Sequence, residues 1–310
     1  MKIILTGACG HIGSYISKNI HKIKNVKEII LIDNFDTQRY SSLFNLKKKI
    51  KTFFFNIDIS KLNSLNIFKN VDLIIHCASL TNAENSFSNK KEMFRNNLGC
   101  IKNIINYCTK NKTKLIHISS TSVYGKQAKI VNEDNKSFLK PQSPYAEIKL
   151  IEEKLLKKSK NKFKFMSFRF GTIAGISPGM RFHTAINKFC FNAALNQNIL
   201  IYKTAYKQYR PYLSIRDAFK VFKFCIERNI FKNDFFNALS QNLTVEQVVK
   251  LIKKYKKNVK IQFVNTKIMN QLSYHVDSNK LNRLGLKLKS DIQQDIKETL
   301  KLFIFKNNEM

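Results

Sequence analysis

Tyr145 and Lys149 stand four residues apart in Tyr145-Ala146-Glu147-Ile148-Lys149, a spacing that sets a phenol and an ammonium on one face of a helix. A free phenol ionises at about pH 10. A neighbouring cation favours the phenolate, so such a pair suits a tyrosine that takes and returns a proton near neutral pH. In a chain with 55 Lys and Arg residues this spacing alone arises by chance, and its weight comes from what precedes it. Ser119-Ser120-Thr121-Ser122-Val123-Tyr124-Gly125 is a hydroxyl-rich turn at the end of an apolar strand, where a hydroxyl can hydrogen-bond a reacting oxygen.

A second constellation opens the chain. Gly7-Ala8-Cys9-Gly10-His11-Ile12-Gly13 follows directly on an apolar strand and leads into a helical pattern. Glycines so placed permit a tight turn, close approach of backbone to a diphosphate, and close packing of helix on sheet. The free N–H groups and dipole of the helix start hold the anion without a lysine. Asp33-Asn34 ends the second strand, and a carboxylate there accepts hydrogen bonds from an adenosine ribose and repels a 2′-phosphate. These residues predict NAD, although Arg39 leaves NADP open and Asp33-Asn34 would also make an ordinary turn. Asp58-Ile59, after the third strand, suits contact with an adenine, while Asp58 alone would equally cap a helix.

The elements that must carry these groups alternate. Apolar strands are expected at Lys2–Thr6, Glu28–Asp33, Lys51–Ile57, Val71–Cys77, Lys114–Ser119 and Lys164–Phe170. Continuous apolar runs of this kind belong to parallel strands covered on both faces. Between them, Ile12, Ile16, Ile20 and Ile23 share one helical face, as do Ile101, Ile104, Ile105 and Cys108. The fold class is therefore α/β: a Rossmann-type doubly wound parallel sheet with a smaller C-terminal substrate-binding lobe.

After Gly171 the rhythm breaks. A helix is expected over Thr184–Leu195, strands over Ile199–Tyr202 and Tyr212–Ile215, a helix over Asp217–Arg228, and a strand over Asp234–Leu239 able to return to the sheet. Thr244 and Gln247 form a capping-box pattern opening a helix over Val245–Lys254, and Asp291–Phe303 reads as a last amphipathic helix. The domain expectation is a nucleotide-binding unit over 1–170, with 212–242 returning to it, and an interleaved substrate lobe over 171–310.

Composition narrows the class. With 310 residues and 44% hydrophobic content, the chain can bury a sizeable core. No apolar run reaches the roughly 18–20 residues of a membrane-spanning helix, the apolar start is too short for a signal peptide, and a cytoplasmic location is expected. Cys9, Cys77, Cys100, Cys108, Cys190 and Cys225 show no metal-like spacing. The formal charge of +34 is spread along the chain without a dense basic arm, so it points to solubility and attraction of anions, not to a specific nucleic-acid site.

Taken in order, T-G-A-x-G-x-x-G, S-S-x-S-V-Y-G and S-P-Y-x-x-x-K resemble the extended short-chain dehydrogenase/reductases, specifically the nucleotide-sugar epimerase/dehydratase family, from Met1 to about Phe303. The resemblance implies that Tyr145 is the acid/base, Lys149 its tuner and a ligand of the nicotinamide ribose, and Ser120 the hydroxyl partner, with Thr121 as the fallback. It implies that Cys77, Ala78 and Ser79 lie beside the cofactor, that Asn97 supports the central helix near it, and that Ser86 contacts substrate. Tyr209-Arg210-Pro211-Tyr212-Leu213-Ser214-Ile215-Arg216-Asp217 is similar to a signature whose arginine, here Arg210, grips a sugar-nucleotide diphosphate. Arg181 is a second diphosphate candidate, and His183 a candidate lining residue. A homodimer through the helices carrying Cys100 and Lys149 is implied as well.

Two departures from the pattern matter. Thr172 stands where many members carry asparagine, which puts one substrate contact in question. Sugar 4,6-dehydratases place Asp-Glu right after the catalytic threonine, whereas Thr121 and Ser122 stand here and cannot supply the acid and base for loss of water. The expectation is a nucleotide-sugar epimerase, a 4-epimerase first. The alternatives are an NAD(P)H-dependent keto-sugar reductase and, less favoured, a dehydratase or a non-catalytic NAD-binding protein.

Overall fold

A computed structural model describes residues 1–81, 86–127, 130–265 and 274–304. In chain order the first half holds β1 (Lys2–Thr6), α1 (His11–Asn19), β2 (Glu28–Asp33), β3 (Lys51–Asn56), β4 (Leu73–His76), α2 (Lys90–Asn111), β5 (Lys114–Ser120), β6 (Ile130–Val131), α3 (Pro144–Lys158) and β7 (Phe165–Phe170). The second half holds β8 (Thr172–Ala174), α4 (Ala185–Ala194), β9 (Ile199–Tyr202), β10 (Tyr209–Ser214), α5 (Ile215–Arg228), β11 (Asp234–Ala238) and β12 (Gln241–Thr244). It ends with α6 (Val245–Tyr255), β13 (Ile261–Val264), β14 (His275–Val276), α7 (Asn279–Arg283) and α8 (Ile292–Phe303).

Seven strands form one sheet in the order β11-β7-β5-β4-β1-β2-β3, and every neighbouring pair is parallel. Side chains alternate between its faces. Ile3, Leu5, Leu31 and Ile75 pack with Ile16 of α1 and Phe222 of α5, while Ile4, Ile30, Ile74 and Leu115 pack with Ile101 of α2 and Leu156 of α3. Both faces are thus buried, which is why the strands read as unbroken apolar runs. The chain winds outward from β1 through β2 to β3, then crosses back to β4 on the other side of β1. The crevice beyond the strand ends at this reversal is where such sheets bind ligands.

Smaller sheets build the second lobe. β10 runs parallel to β8 and antiparallel to β12, and β9 pairs in parallel with β13. Their buried side chains, including Ile199 and Tyr212, meet Cys190 of α4, Ile252 of α6 and Ile296 of α8. β14 lies beside β6.

Boundaries moved where caps intervene. The strand expected over Tyr212–Ile215 begins at Tyr209, where it pairs with Thr244, and stops at Ser214, whose hydroxyl accepts from the Arg216 N–H and opens α5. The Thr244–Gln247 capping box is formed, and Asp291 caps α8. The strand expected over Val71–Cys77 shortens to Leu73–His76. β6, β8, β12, β13 and β14, each of 2 to 4 residues, were not anticipated, since strands so short leave no periodic trace. The six cysteines are all free thiols. Among the described residues no helix is long and apolar enough to cross a membrane.

Candidate active site

The glycine turn joins β1 to α1 at the sheet reversal. Gly7 holds φ +66°, and a Cβ there would stand 2.6 Å from the Ala78 nitrogen, so the turn lies hard against the end of β4. A Cβ on Gly13 would stand 2.1 Å from the Gly7 carbonyl oxygen, which shows how closely α1 packs on the turn. Gly10 is the N-cap of α1, with no side-chain cap and no acidic residue in the first turn. The positive end of the helix is therefore uncompensated, as a diphosphate requires.

Beside the turn lies a cavity of about 320 Å³ lined by Gly7, Gly10, Asp33, Asn34, Asp58, Ile59, Cys77, Ala78 and Ser79. Asp33 accepts from the N–H groups of Cys9 (2.9 Å) and Phe35 (3.0 Å), so it organises the glycine turn as well as facing the cavity. Asn34 is turned to its own loop through Asp36, and Asp58 accepts from the Ser60 N–H and hydroxyl. Arg39 lines the same cavity and feels the Asp33 carboxylate. The uncapped helix end, the glycines and the acidic strand end fit NAD in this crevice.

A second cavity, of about 470 Å³, shares Gly7, Gly10, Arg39, Cys77 and Ser79 with the first and extends toward the small lobe. Gly13, Ile12, Ser120, Thr121, Tyr145, Lys149, Thr172, Arg181 and Arg210 all line it. Tyr145 stands in the first turn of α3, which Ser143 caps by accepting from the Ala146 N–H with Pro144 at the first helical position. One turn on, the Lys149 ammonium is 3% exposed and lies 5.9 Å from the centre of the Tyr145 ring. Burial alone would lower Lys149, but the Glu152 carboxylate at 2.8 Å outweighs it and keeps the ammonium charged. The Ser120 hydroxyl accepts from the N–H (3.2 Å) and hydroxyl (2.9 Å) of Ser122.

Four further cations or rings shape the cavity. Arg181 donates to the Thr81 hydroxyl, and its buried Nε has no partner among the described residues. Burial lowers its pKa, offset in part by the Tyr145 phenol it faces. His183 is exposed and joins both cavities, where partial desolvation and then the nearby Arg181 lower its pKa. Lys188 is exposed at the rim. His11, within the glycine turn, is a buried strut whose Nε2 lies 2.8 Å from the Gly175 carbonyl. Among the described residues lining this cavity there are five Arg or Lys side chains and not one carboxylate.

Two residues expected near the ligands are absent from the linings of both cavities. Asn97 lines neither cavity; its amide clamps the Leu80 backbone, accepting from the N–H at 2.8 Å and donating to the carbonyl at 3.0 Å. It therefore shapes the loop after β4 without facing the crevice. Ser86 is fully buried and likewise lines neither cavity. Tyr274 was missed by sequence reasoning. It enters from beyond β13 and puts its hydroxyl 3.4 Å from that of Thr121, in the cavity, with no motif to announce it. Thr81 and Glu152 were missed for the same reason.

Residues 3–238 match the model of the NAD dependent epimerase/dehydratase family. The chain belongs to that family. Among curated members, it is 25% identical over 311 residues to a trifunctional UDP-glucose 4,6-dehydratase/UDP-4-keto-6-deoxy-D-glucose 3,5-epimerase/UDP-4-keto-L-rhamnose-reductase of Arabidopsis thaliana, covering 96% of this chain and 46% of that protein. It thus spans about half the length of that relative. An ADP-L-glycero-D-manno-heptose-6-epimerase of Brachyspira hyodysenteriae is 27% identical, with 84% of this chain and 83% of that one covered. Among solved structures, Thermus thermophilus UDP-glucose 4-epimerase with NAD superposes with a TM-score of 0.84 at 19% identity, covering 98% of this chain and 99% of that one. The dTDP-glucose 4,6-dehydratase DesIV of Streptomyces venezuelae gives 0.86 at 17%, covering 97% and 96%. The family thus unites members of this one fold named for different reactions, and its cofactor is NAD.

Proposed function

We infer that this chain is a nucleotide-sugar epimerase, and a 4-epimerase first. One observation carries the reading: Tyr145, Lys149 and Ser120 face a cavity whose described lining holds no carboxylate. Loss of water from a keto-sugar needs an acid and a base beside the reacting carbons. Thr121 and Ser122 cannot serve, because unassisted hydroxyls are too weakly acidic and basic at neutral pH. Proton transfer at a single oxygen needs only the phenol.

Bound NAD supplies a reversible acceptor for hydride. Tyr145 takes the proton from the sugar hydroxyl under oxidation and later returns it. Ser120 hydrogen-bonds the same oxygen, and the Lys149 ammonium favours the phenolate form of Tyr145. Arg210 and Arg181 hold the substrate diphosphate, for which a guanidinium fork is shaped. Thr172, Thr121 and Tyr274 offer hydroxyls to the sugar, and a cavity of about 470 Å³ leaves the keto-sugar room to turn its other face. The reading includes a cytoplasmic homodimer joined through α2 and α3, and a dinucleotide-binding unit over 1–170 with 212–242 returning to it.

Incubating the protein with UDP-, GDP-, CDP- and dTDP-sugars and separating the products tests the reading. Interconversion of two epimers without accumulation of NADH is expected. A requirement for added NADPH would replace it with a reductase, and formation of a 4-keto-6-deoxy product would replace it with a dehydratase.

A further inference from the structure

Beneath Tyr145 lies a group of buried charges that proton transfer at the sugar does not use. Lys149, Glu152 and His117 are 3%, 1% and 0% exposed. One oxygen of Glu152, Oε2, lies 2.8 Å from the Lys149 ammonium and 2.9 Å from Nε2 of His117. His117 reaches on through Nδ1 to the Ser167 hydroxyl at 2.8 Å. Burying an ion pair stabilises a fold no better than apolar packing of the same volume, so stability gives no reason for this one.

The protons in this chain are assignable. Burial would raise the Glu152 carboxyl, but Lys149 and the His117 hydrogen bond overcome it and hold it below the usual carboxylate range. An ionised carboxylate only accepts, so His117 presents Nε2–H to it, while its Nδ1 is held by the Ser167 hydroxyl. Lys149 therefore does not act on Tyr145 as a lone cation. Its charge is partly cancelled by Glu152, and the His117 N–H draws part of that carboxylate's charge away from it.

We propose that Glu152 and His117 are positioning residues that set how strongly Lys149 favours the Tyr145 phenolate, Glu152 holding the buried lysine charged and His117 drawing part of the carboxylate's charge away from it. The proposal rests on the reading of Tyr145 as the proton-transfer group. Other groups face this chain. His76 of β4 stacks on His117 at 6.2 Å, and burial drops its pKa to about 3. Burial pushes the thiol of Cys77 up, and that of Cys100 on α2 up to about 12, with Asp58 adding to the latter. These three stay uncharged at neutral pH. Arg181, from the segment before α4, is the second cation facing Tyr145 and is common to every variant below.

The test uses the full chain, labelled with carbon-13 at the tyrosine ring ζ position and titrated by NMR without cofactor or substrate. Tyr145→Phe assigns the resonance. In Glu152→Gln the buried lysine loses the carboxylate that keeps it charged, and the Tyr145 titration should move up by about half a pH unit or more. In His117→Leu the carboxylate is returned wholly to Lys149, and the titration should move up by less. Glu152→Asp keeps the charge and should stay close to the wild type. The contrast between Glu152→Gln and Glu152→Asp is the signature, since loosened packing would move both variants alike. A downward shift or no shift in folded Glu152→Gln, or an equal shift in Glu152→Asp, overturns the proposal. Should Glu152→Gln not fold, the absence of an upward shift in His117→Leu overturns it. An active Tyr145→Phe enzyme would defeat the proton-transfer reading while leaving the titrations standing, so the two failures are distinguishable.

Discussion

His11 donates its Nε2–H to the carbonyl oxygen of Gly175 across 2.8 Å, tying the first residue of α1 to the segment that leads into the small lobe. The tie is reinforced alongside. Ser177 donates to the His11 carbonyl at 2.8 Å, and the Gly179 N–H donates to the Ser14 hydroxyl at 2.9 Å. A Cβ on Gly179 would stand 2.0 Å from the Cys9 carbonyl. The turn proposed to hold the cofactor diphosphate and the segment ending at Arg181 are thus one packed unit.

Replacing His11 by leucine should therefore weaken both ligands together. The Gly175 carbonyl loses its donor, a loss of about 1–3 kcal/mol for a buried acceptor. A raised NAD dissociation constant and a raised KM for the nucleotide sugar, with kcat little changed, are the expected outcome. A change in NAD affinity alone would show that the two regions are independent.

Gly13→Ala should be destabilising by about 1–3 kcal/mol, because α1 must lift from the turn to admit the methyl group. Thermal melts and NAD titration by fluorescence measure it, and both midpoints should worsen. Unchanged NAD binding would mean that the helix start does not hold the diphosphate.

Tyr145→Phe should reduce kcat by about 10²–10⁴-fold, the usual range for a lost acid/base group, with NAD binding retained. Arg210→Ala should instead raise KM with a smaller effect on kcat, since it removes a grip on the diphosphate that is the same before and during reaction. Steady-state kinetics on the sugar identified in the substrate panel separate the two.

Acid should destabilise the fold early. Burial drops both His11 and His76 to about 3 in the folded protein, with Arg181 adding to His11 and His117 to His76. An unfolded imidazole ionises at about 6.5, so below that pH the unfolded chain binds protons that the folded chain does not. This contribution is fully present above about pH 6.5 and is lost as pH falls, by about 1.4 kcal/mol per pH unit for each ring. Urea melts at about pH 7.5 and about pH 5.5 should differ by about 2–3 kcal/mol. His76→Gln should roughly halve that difference, and a flat profile would contradict the account.

Much of this protein was legible because its determinants are local. The glycines of the first turn act within one strand–helix junction, and Tyr145 and Lys149 share a face because a helix repeats every few residues. The run of apolar strands announced a sheet covered on both sides, and Thr244 with Gln247 marked a helix start by hydrogen bonds that span three residues.

What surrounds those groups was decided by tertiary packing. Parallel pairing of β4 with β5 and of β5 with β7 puts His76, His117 and Ser167 side by side, although 91 positions separate the first from the last. That pairing, with α3 laid across β5, supplies the histidine that holds Glu152, the carboxylate one turn along α3 from Lys149. Pairing of β10 with β8 brings Arg210 near Thr172, and Tyr274 arrives from still further along the chain. Asn97 and Ser86 stand outside the linings of both cavities for the converse reason: a motif specifies a residue and its neighbours, not which way a loop turns its side chains. Short-range periodicity sets where a side chain leaves the backbone, whereas the charge and shape it meets depend on pairings made across the whole chain.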